Sequence, residues 1–168
     1  MPRFINVTLE SRKVTAVARL LDDEAPRTAQ AIWDGLPLSG QVYHGKYARN
    51  EIYNLVPAFA AEEPGKENTT VTPIPGDLCY FAFDANDLAT PSHGYGQGEG
   101  PKELQQIIDL AVFYGRNNLL INGDQGWVPG NVFGAIVEGL DELAAACQDS
   151  WMSGARGETL TFSRASDR

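Results

Sequence analysis

The chain has 168 residues, 43% hydrophobic and 21% charged, with 22 acidic against 13 basic side chains and a formal net charge of −9. That length and composition suit one globular domain and exclude a disordered chain. The cations are scattered, the balance is acidic, and no segment nears the roughly 18 apolar residues of a membrane-spanning helix, so neither nucleic acid nor membrane is an expected partner.

Ile5, Val7 and Leu9 alternate with Asn6, Thr8 and Glu10, the period of a half-buried strand. Ser11-Arg12-Lys13 reads as a tight turn into a second strand over residues 14–21, so the chain opens with a hairpin. Asp22-Asp23-Glu24-Ala25-Pro26 breaks it and starts a helix, because proline's fixed φ and missing N–H suit a first helical turn. Ala29, Ile32, Trp33 and Leu36 form that helix's apolar stripe, with Trp33 expected to seal one end of the core, and Pro37 stops it. Residues 41–57 predict two short strands with a turn near Gly45, and residues 60–72 an exposed loop. Pro75-Gly76-Asp77 introduces an apolar strand over 78–83, and an irregular, glycine-rich stretch follows up to Gly100. Leu104, Ile107, Ile108 and Ala111 repeat the helical spacing and predict a helix over 101–111. Strands are expected at 112–114, 119–121, 132–137 and 159–163, with a helix over 139–148 and a frayed tail at 164–168.

The first residues carry no apolar run of a secretory signal, and Cys79 and Cys147 fall in apolar patterns that bury reduced thiols. A cytoplasmic location is the expectation. No repeat or linker divides the chain, so residues 1–168 read as one domain. Many consecutive strands with few helices imply a mainly β fold, a closed eight-stranded barrel capped by two or three helices, because closure removes exposed edges.

The same segments resemble cyclophilins from end to end. Ala25-Pro26-Arg27-Thr28-Ala29-Gln30 is similar to the start of the first cyclophilin helix, and Pro75-Gly76-Asp77-Leu78 to the entry of its central strand. Trp127-Val128-Pro129-Gly130-Asn131-Val132-Phe133-Gly134 and Ala135-Ile136-Val137-Glu138-Gly139 resemble the stretch that leads into the last helix. The resemblance implies the cyclophilin-like fold, and within it a bacterial family of unknown function, distantly similar to the cucumopine-type opine synthases. The isomerase signature is missing. Ile52-Tyr53-Asn54-Leu55-Val56-Pro57-Ala58-Phe59 is its best counterpart, and Asn54 stands where cyclophilins carry the arginine that polarises the prolyl amide. A neutral amide does not supply a guanidinium's charge-assisted bond, so isomerase activity is expected to be absent or very weak.

By the same resemblance, Tyr53, Asn54, Phe59, Tyr80, Phe113, Tyr114 and Trp127 are expected to line a ligand groove on the barrel face. Arg49, Glu51 and Tyr53 recur at the strand period and are expected on one face, the arginine for a carboxylate and the other two for proton transfer. The bland alternative is a solvent-facing ion pair. His93 is a further proton-transfer candidate if the glycine-rich segment folds over the groove. Neither it nor His44 sits in a metal-ligand spacing, and the glycines of 94–100 lack the Lys-Ser/Thr of a phosphate loop, so no metal and no cofactor is expected. The expected function is binding, with or without transformation, of a small carboxylated metabolite. The alternatives are a prolyl isomerase that uses Arg49 and a non-enzymatic interaction module or homo-oligomer subunit.

Overall fold

The structure is a computed structural model that describes residues 1–84 and 106–166. Ile5, Val7 and Leu9 of β1 (Phe4–Leu9) are buried as the alternation requires. β1 pairs antiparallel with β2 (Val14–Leu20), from Phe4 opposite Arg19 to Leu9 opposite Val14. Helix α1 (Pro26–Gly35) begins at its proline and buries Thr28, Ala29 and Ile32. Its N-cap residue is Ala25, which has no side-chain acceptor. The carboxylate of Glu67 takes that part, accepting the backbone N–H groups of Arg27 (3.1 Å) and Thr28 (2.8 Å), where a negative charge also meets the helix dipole. Asn131 ties the same loop down, with its Nδ2 donating to Thr28 Oγ1 and to the carbonyl of Gly65.

The strands β3 (Leu38–Gln41), β4 (Tyr43–His44), β5 (Glu51–Pro57), β6 (Thr69–Thr70), β7 (Asp77–Asp84), β8 (Gln106–Phe113), β9 (Ile121–Asn122), β10 (Gly126–Trp127), β11 (Gly130–Glu138) and β12 (Thr159–Arg164) follow, with α2 (Leu140–Ser153) before the last. The main sheet runs β3-β12-β1-β2-β11-β7-β8-β5-β4, with β6 on β11, and β9 and β10 form a separate ribbon. All its pairs are antiparallel. The first and last strands adjoin, as expected, with Val7 opposite Phe162.

Closure by eight strands is corrected. The sheet has ten strands and its ladder is open, with β3 at one end and β4 at the other. Across that opening Asn54 of β5 donates its Nδ2 to the carbonyl of Leu160 on β12 (2.9 Å), a side-chain bridge where a closed barrel would have a ladder.

The helix expected over 101–111 is corrected as well. Residues 106–113 form the strand β8, which lies between β5 and β7 and pairs with both along its length. Ile108, Leu110 and Val112 face the main core, while Ala111 and Phe113 enter a second cluster on the opposite face. A strand buried on both sides is a continuous apolar run, and spacing alone does not separate such a run from a helix. Residues 101–105 lie outside the described residues.

Trp33 is half-buried rather than sealed in. Its ring lies at the margin of the core under the guanidinium groups of Arg164 (4.6 Å to the centroid) and Arg3 (5.4 Å). Cys79 and Cys147 are buried free thiols on β7 and α2.

Candidate functional site

The strands β5, β8 and β7 have two chemically different faces. Even-numbered residues such as Ile52, Val56, Tyr80 and Leu110 point into the main core. Odd-numbered residues point outward, where Cys79, Phe81, Ala111 and Phe113 pack with Ala48, Leu120 and Val132 into the second cluster. The segment 115–130 covers this outer face, held by Leu120 N–H donating to the carbonyl of Val71 and Val128 N–H donating to that of Leu120.

Between sheet and cover lies a cavity of about 100 Å³. Glu51, Tyr53, Asp109, Phe81, Phe83 and Lys46 are among the residues that line it. Its register explains the opening. Tyr53, Ala111 and Cys79 stand side by side on three strands, with Asp109 beside Leu55 and Phe81, and Glu51 opposite Phe113. The small Ala111 thus separates the two acidic residues along the outer face. Gly45 completes the wall: a Cβ there would collide with Glu51 Oε2.

Both carboxyls are removed from water, Glu51 at 7% and Asp109 at 8% exposure. Among the described residues Asp109 Oδ1 finds no hydrogen-bond partner. Burial pushes the Glu51 carboxyl up to about 8, far above its ordinary range. Burial raises that of Asp109 too, and the nearby Glu51 raises it further. The Cys79 thiol is held protonated by burial and by the acids around it. An acid in this state can give up a proton near neutral pH, which is general acid–base capability.

A second cavity of about 300 Å³ adjoins the first, sharing Phe81, Phe83, Gln125 and Val128 with it. Tyr80, Trp127, Lys66 and Asn131 add to its lining. Tyr80 donates its hydroxyl to Glu63 Oε2 (2.8 Å), and the Trp127 indole is 60% exposed.

The residues singled out in the sequence are therefore divided. Glu51 and Tyr53 share a face and line the first cavity, and Tyr53 stacks on Tyr43 at 5.5 Å. Arg49 does not join them. It lies before β5, exposed, in a left-handed turn with φ of 72°, so the strand period does not extend to it. Asn54 faces the core, where its Nδ2 donates to the carbonyl of Leu160 and its Oδ1 finds no partner among the described residues, so it is no groove residue. Phe113 is fully buried in the second cluster. Tyr114 is buried and bound to His44 at 2.6 Å. His44 Nδ1 lies 3.1 Å from the carbonyl of Gly45, an acceptor, so Nδ1 carries the proton and Nε2 accepts from the tyrosine. Phe59 packs edge-on against Tyr80 at the core margin. Tyr80 and Trp127 line the second cavity. His93 and the glycines of 94–100 lie outside the described residues.

Asp109 and Lys46 escaped the sequence reading. The signal for Asp109 was present: one acidic residue inside Ile107-Ile108-Asp109-Leu110-Ala111-Val112-Phe113 is expected to be exposed, paired or functional. Among the described residues no group of three or more His, Cys, Asp and Glu side chains is arranged to hold a metal ion.

Known structures share this architecture at low identity. McbB, described in complex with tryptophan, aligns with TM-score 0.62 and 19% identity over 98% of this chain and 45% of its own. This chain thus spans less than half the length of McbB. The hypothetical protein AF2241 from Archaeoglobus fulgidus aligns with TM-score 0.52 and 22% identity, over 98% and 95% of the two chains. The Mimivirus cyclophilin aligns at 0.48 and 13% identity, over 97% and 87%. No curated protein matches the chain. Residues 7–162 match the family described as "Protein of unknown function (DUF3830)", and with nearly the whole chain covered, this protein belongs to that family.

Proposed function

We propose that this protein binds, and transforms by proton transfer, a small carboxylated metabolite in the cavity between the outer face of β5, β8 and β7 and the 115–130 segment. The observation that carries this reading is the pair of buried carboxyls, Glu51 and Asp109, lining one half-open cavity with aromatic walls. Concave, mostly apolar clefts with a few convergent polar groups are the usual small-ligand sites. Buried acids with few partners lower stability, and such groups concentrate at functional sites. Lys46 is the cation that lines the cavity and suits the ligand's carboxylate, the part expected of Arg49 in the sequence. Phe81, Phe83 and Val128 supply apolar contact. Glu51, which keeps its proton near neutral pH, is the acid that would donate to the ligand and recover the proton afterwards. McbB, which shares this fold over 45% of its own chain, is described in complex with tryptophan, a small carboxylated molecule.

A thermal-shift screen of amino acids, 2-keto acids, hydroxy acids and dicarboxylates tests the reading. A ligand at about 100 times its Kd adds about 2.7 kcal/mol to stability. The expected result is a raised Tm with one such class, lost in Val128→Trp, which fills the cavity. No shift with any carboxylate, or a shift that survives Val128→Trp, overturns it.

A further inference from the structure

The cavity read as the metabolite site is small for a metabolite. Its volume of about 100 Å³ is less than the roughly 150 Å³ in which an engineered protein core takes up benzene, so it suits an acid group and the carbon or two beside it. The second cavity, of about 300 Å³, shares a wall with it. That wall includes Phe81 and Phe83, which line both spaces from β7 with their rings parallel within 8° and their centroids 5.9 Å apart. Gln125 and Val128 line both from the covering segment.

The second cavity differs from the first in what its walls leave free. Its polar side chains are engaged with one another or with main chain. Tyr80 gives its hydroxyl to Glu63. Asn131 donates its Nδ2 to Thr28 Oγ1 and the carbonyl of Gly65, and its Oδ1 accepts the backbone N–H groups of Glu67 and Asn68. Gln125 Oε1 accepts the amide of Asn122, and Lys66 is exposed to water. What remains for a ligand is ring surface, from Phe81, Phe83 and the 60% exposed Trp127. An indole left open in a concave site gains free energy when a ligand covers it, in proportion to the apolar area removed from water.

We propose that the ligand is an aryl-bearing carboxylate, its carboxylate in the first cavity and its aromatic ring in the second, against Trp127 and the Phe81–Phe83 wall. This rests on the metabolite-site reading and names its substrate class. An aromatic ring is preferred over a saturated ring of the same size, because aromatic pairs attract through their quadrupoles beyond the area they bury. A sugar-like body would give up its hydration against ring surfaces that offer no hydrogen bonds in return.

3-Phenylpropionate is the probe for the intact chain, beside acetate, 3-cyclohexylpropionate, and 3-phenylpropan-1-ol, which lacks the carboxylate. The phenyl acid should raise Tm more than acetate and bind about 2–10-fold tighter than the cyclohexyl acid. It should also shift tryptophan emission to the blue as the Trp127 indole leaves water. That shift should vanish in Trp127→Phe, which keeps a ring at the site and leaves Trp33 and Trp151 in place. Trp127→Ala should weaken the phenyl acid about tenfold and leave acetate unchanged. Phe83→Ala serves as a second variant should the β9–β10 ribbon unfold. A phenyl acid that binds no tighter than acetate, or binds wild type and both alanine variants equally, overturns the inference. So does a blue shift that survives Trp127→Phe. If acetate and other short carboxylates still bind, the metabolite site stands and its aromatic specificity falls. If the alcohol binds as tightly as the acid, the carboxylate reading falls and the inference with it, even where Trp127 responds.

Discussion

Two glutamates in this molecule are both shielded from solvent and electrostatically opposite. Glu158 precedes β12 at 2% exposure, and Glu51 opens β5 at 7%. Glu158 accepts the backbone N–H groups of Ser11 (2.8 Å), Arg12 (3.2 Å) and Thr159 (2.9 Å), and the guanidinium of Arg12 at 2.9 Å. Burial alone would raise its carboxyl, but these donors outweigh burial and hold it below the ordinary range. Around the Glu51 carboxyl nothing comparable is found among the described residues, and burial acts unopposed. Low exposure alone therefore does not decide the state of a carboxyl: Glu51 lies deeper and has no such donors, and depth and donors act together. At Glu158 the fold uses a charge to clamp the β1–β2 turn onto the last strand. At Glu51 it keeps an acid in reserve.

The largest effect that sharpens this contrast is expected for Glu158→Ala. Breaking a buried, hydrogen-bonded ion pair costs about 3–5 kcal/mol, here with three backbone N–H groups left unsatisfied. Urea denaturation at pH 7 measures it, and a loss below about 1 kcal/mol would mean that the turn repacks. The sign with pH follows from the lowered carboxyl: this stability is present above the unfolded value near 4.5 and is lost as pH falls through the folded one.

Glu51→Gln is expected to do the reverse. A raised folded value contributes stability that is complete below about 4.5 and is lost as pH rises toward about 8. The variant, which cannot ionise, should be about 2–3 kcal/mol more stable than wild type at pH 8 and nearly equal at pH 4. A tenfold change in an acid constant is worth about 1.4 kcal/mol, and water entering the cavity relieves part of the full penalty. Identical pH–stability curves for variant and wild type would break the comparison.

Trp33→Ala is expected to cost about 2 kcal/mol, below the 3–5 of a fully enclosed aromatic, because the ring is half-buried and two guanidinium contacts supply part of its stabilisation. High salt should lower the wild type toward the variant if those contacts matter. Smallest is Arg49→Gly. At a φ of 72° glycine relieves a left-handed strain, so stability should change by about 0.5 kcal/mol, upward if at all, and ligand-induced shifts should be unaltered. Loss of ligand response in this variant would restore Arg49 to the site.

Much of the fold was legible where one face alone is buried. The alternation of Ile5, Val7 and Leu9, the stripe of Ala29 and Ile32, and the apolar run from Leu78 each landed on the element expected. β8 was not legible, because both its faces are apolar and its spacing mimics a helix. Half the candidate site was legible too: Glu51 and Tyr53 share a face by the period of two, but counting back to Arg49 crossed a left-handed turn at which that period ends.

By itself the sequence determined a mainly β fold, its opening hairpin and the positions of both described helices. Those are local matters of alternation, capping and residue identity. Only the tertiary structure decided that Glu67 caps α1, that Asn54 turns inward to Leu160, that the sheet stays open between β3 and β4, and that Asp109 and Glu51 line one cavity. Each depends on strand register between segments distant in the chain, and register follows from how whole faces bury rather than from any one stretch of residues.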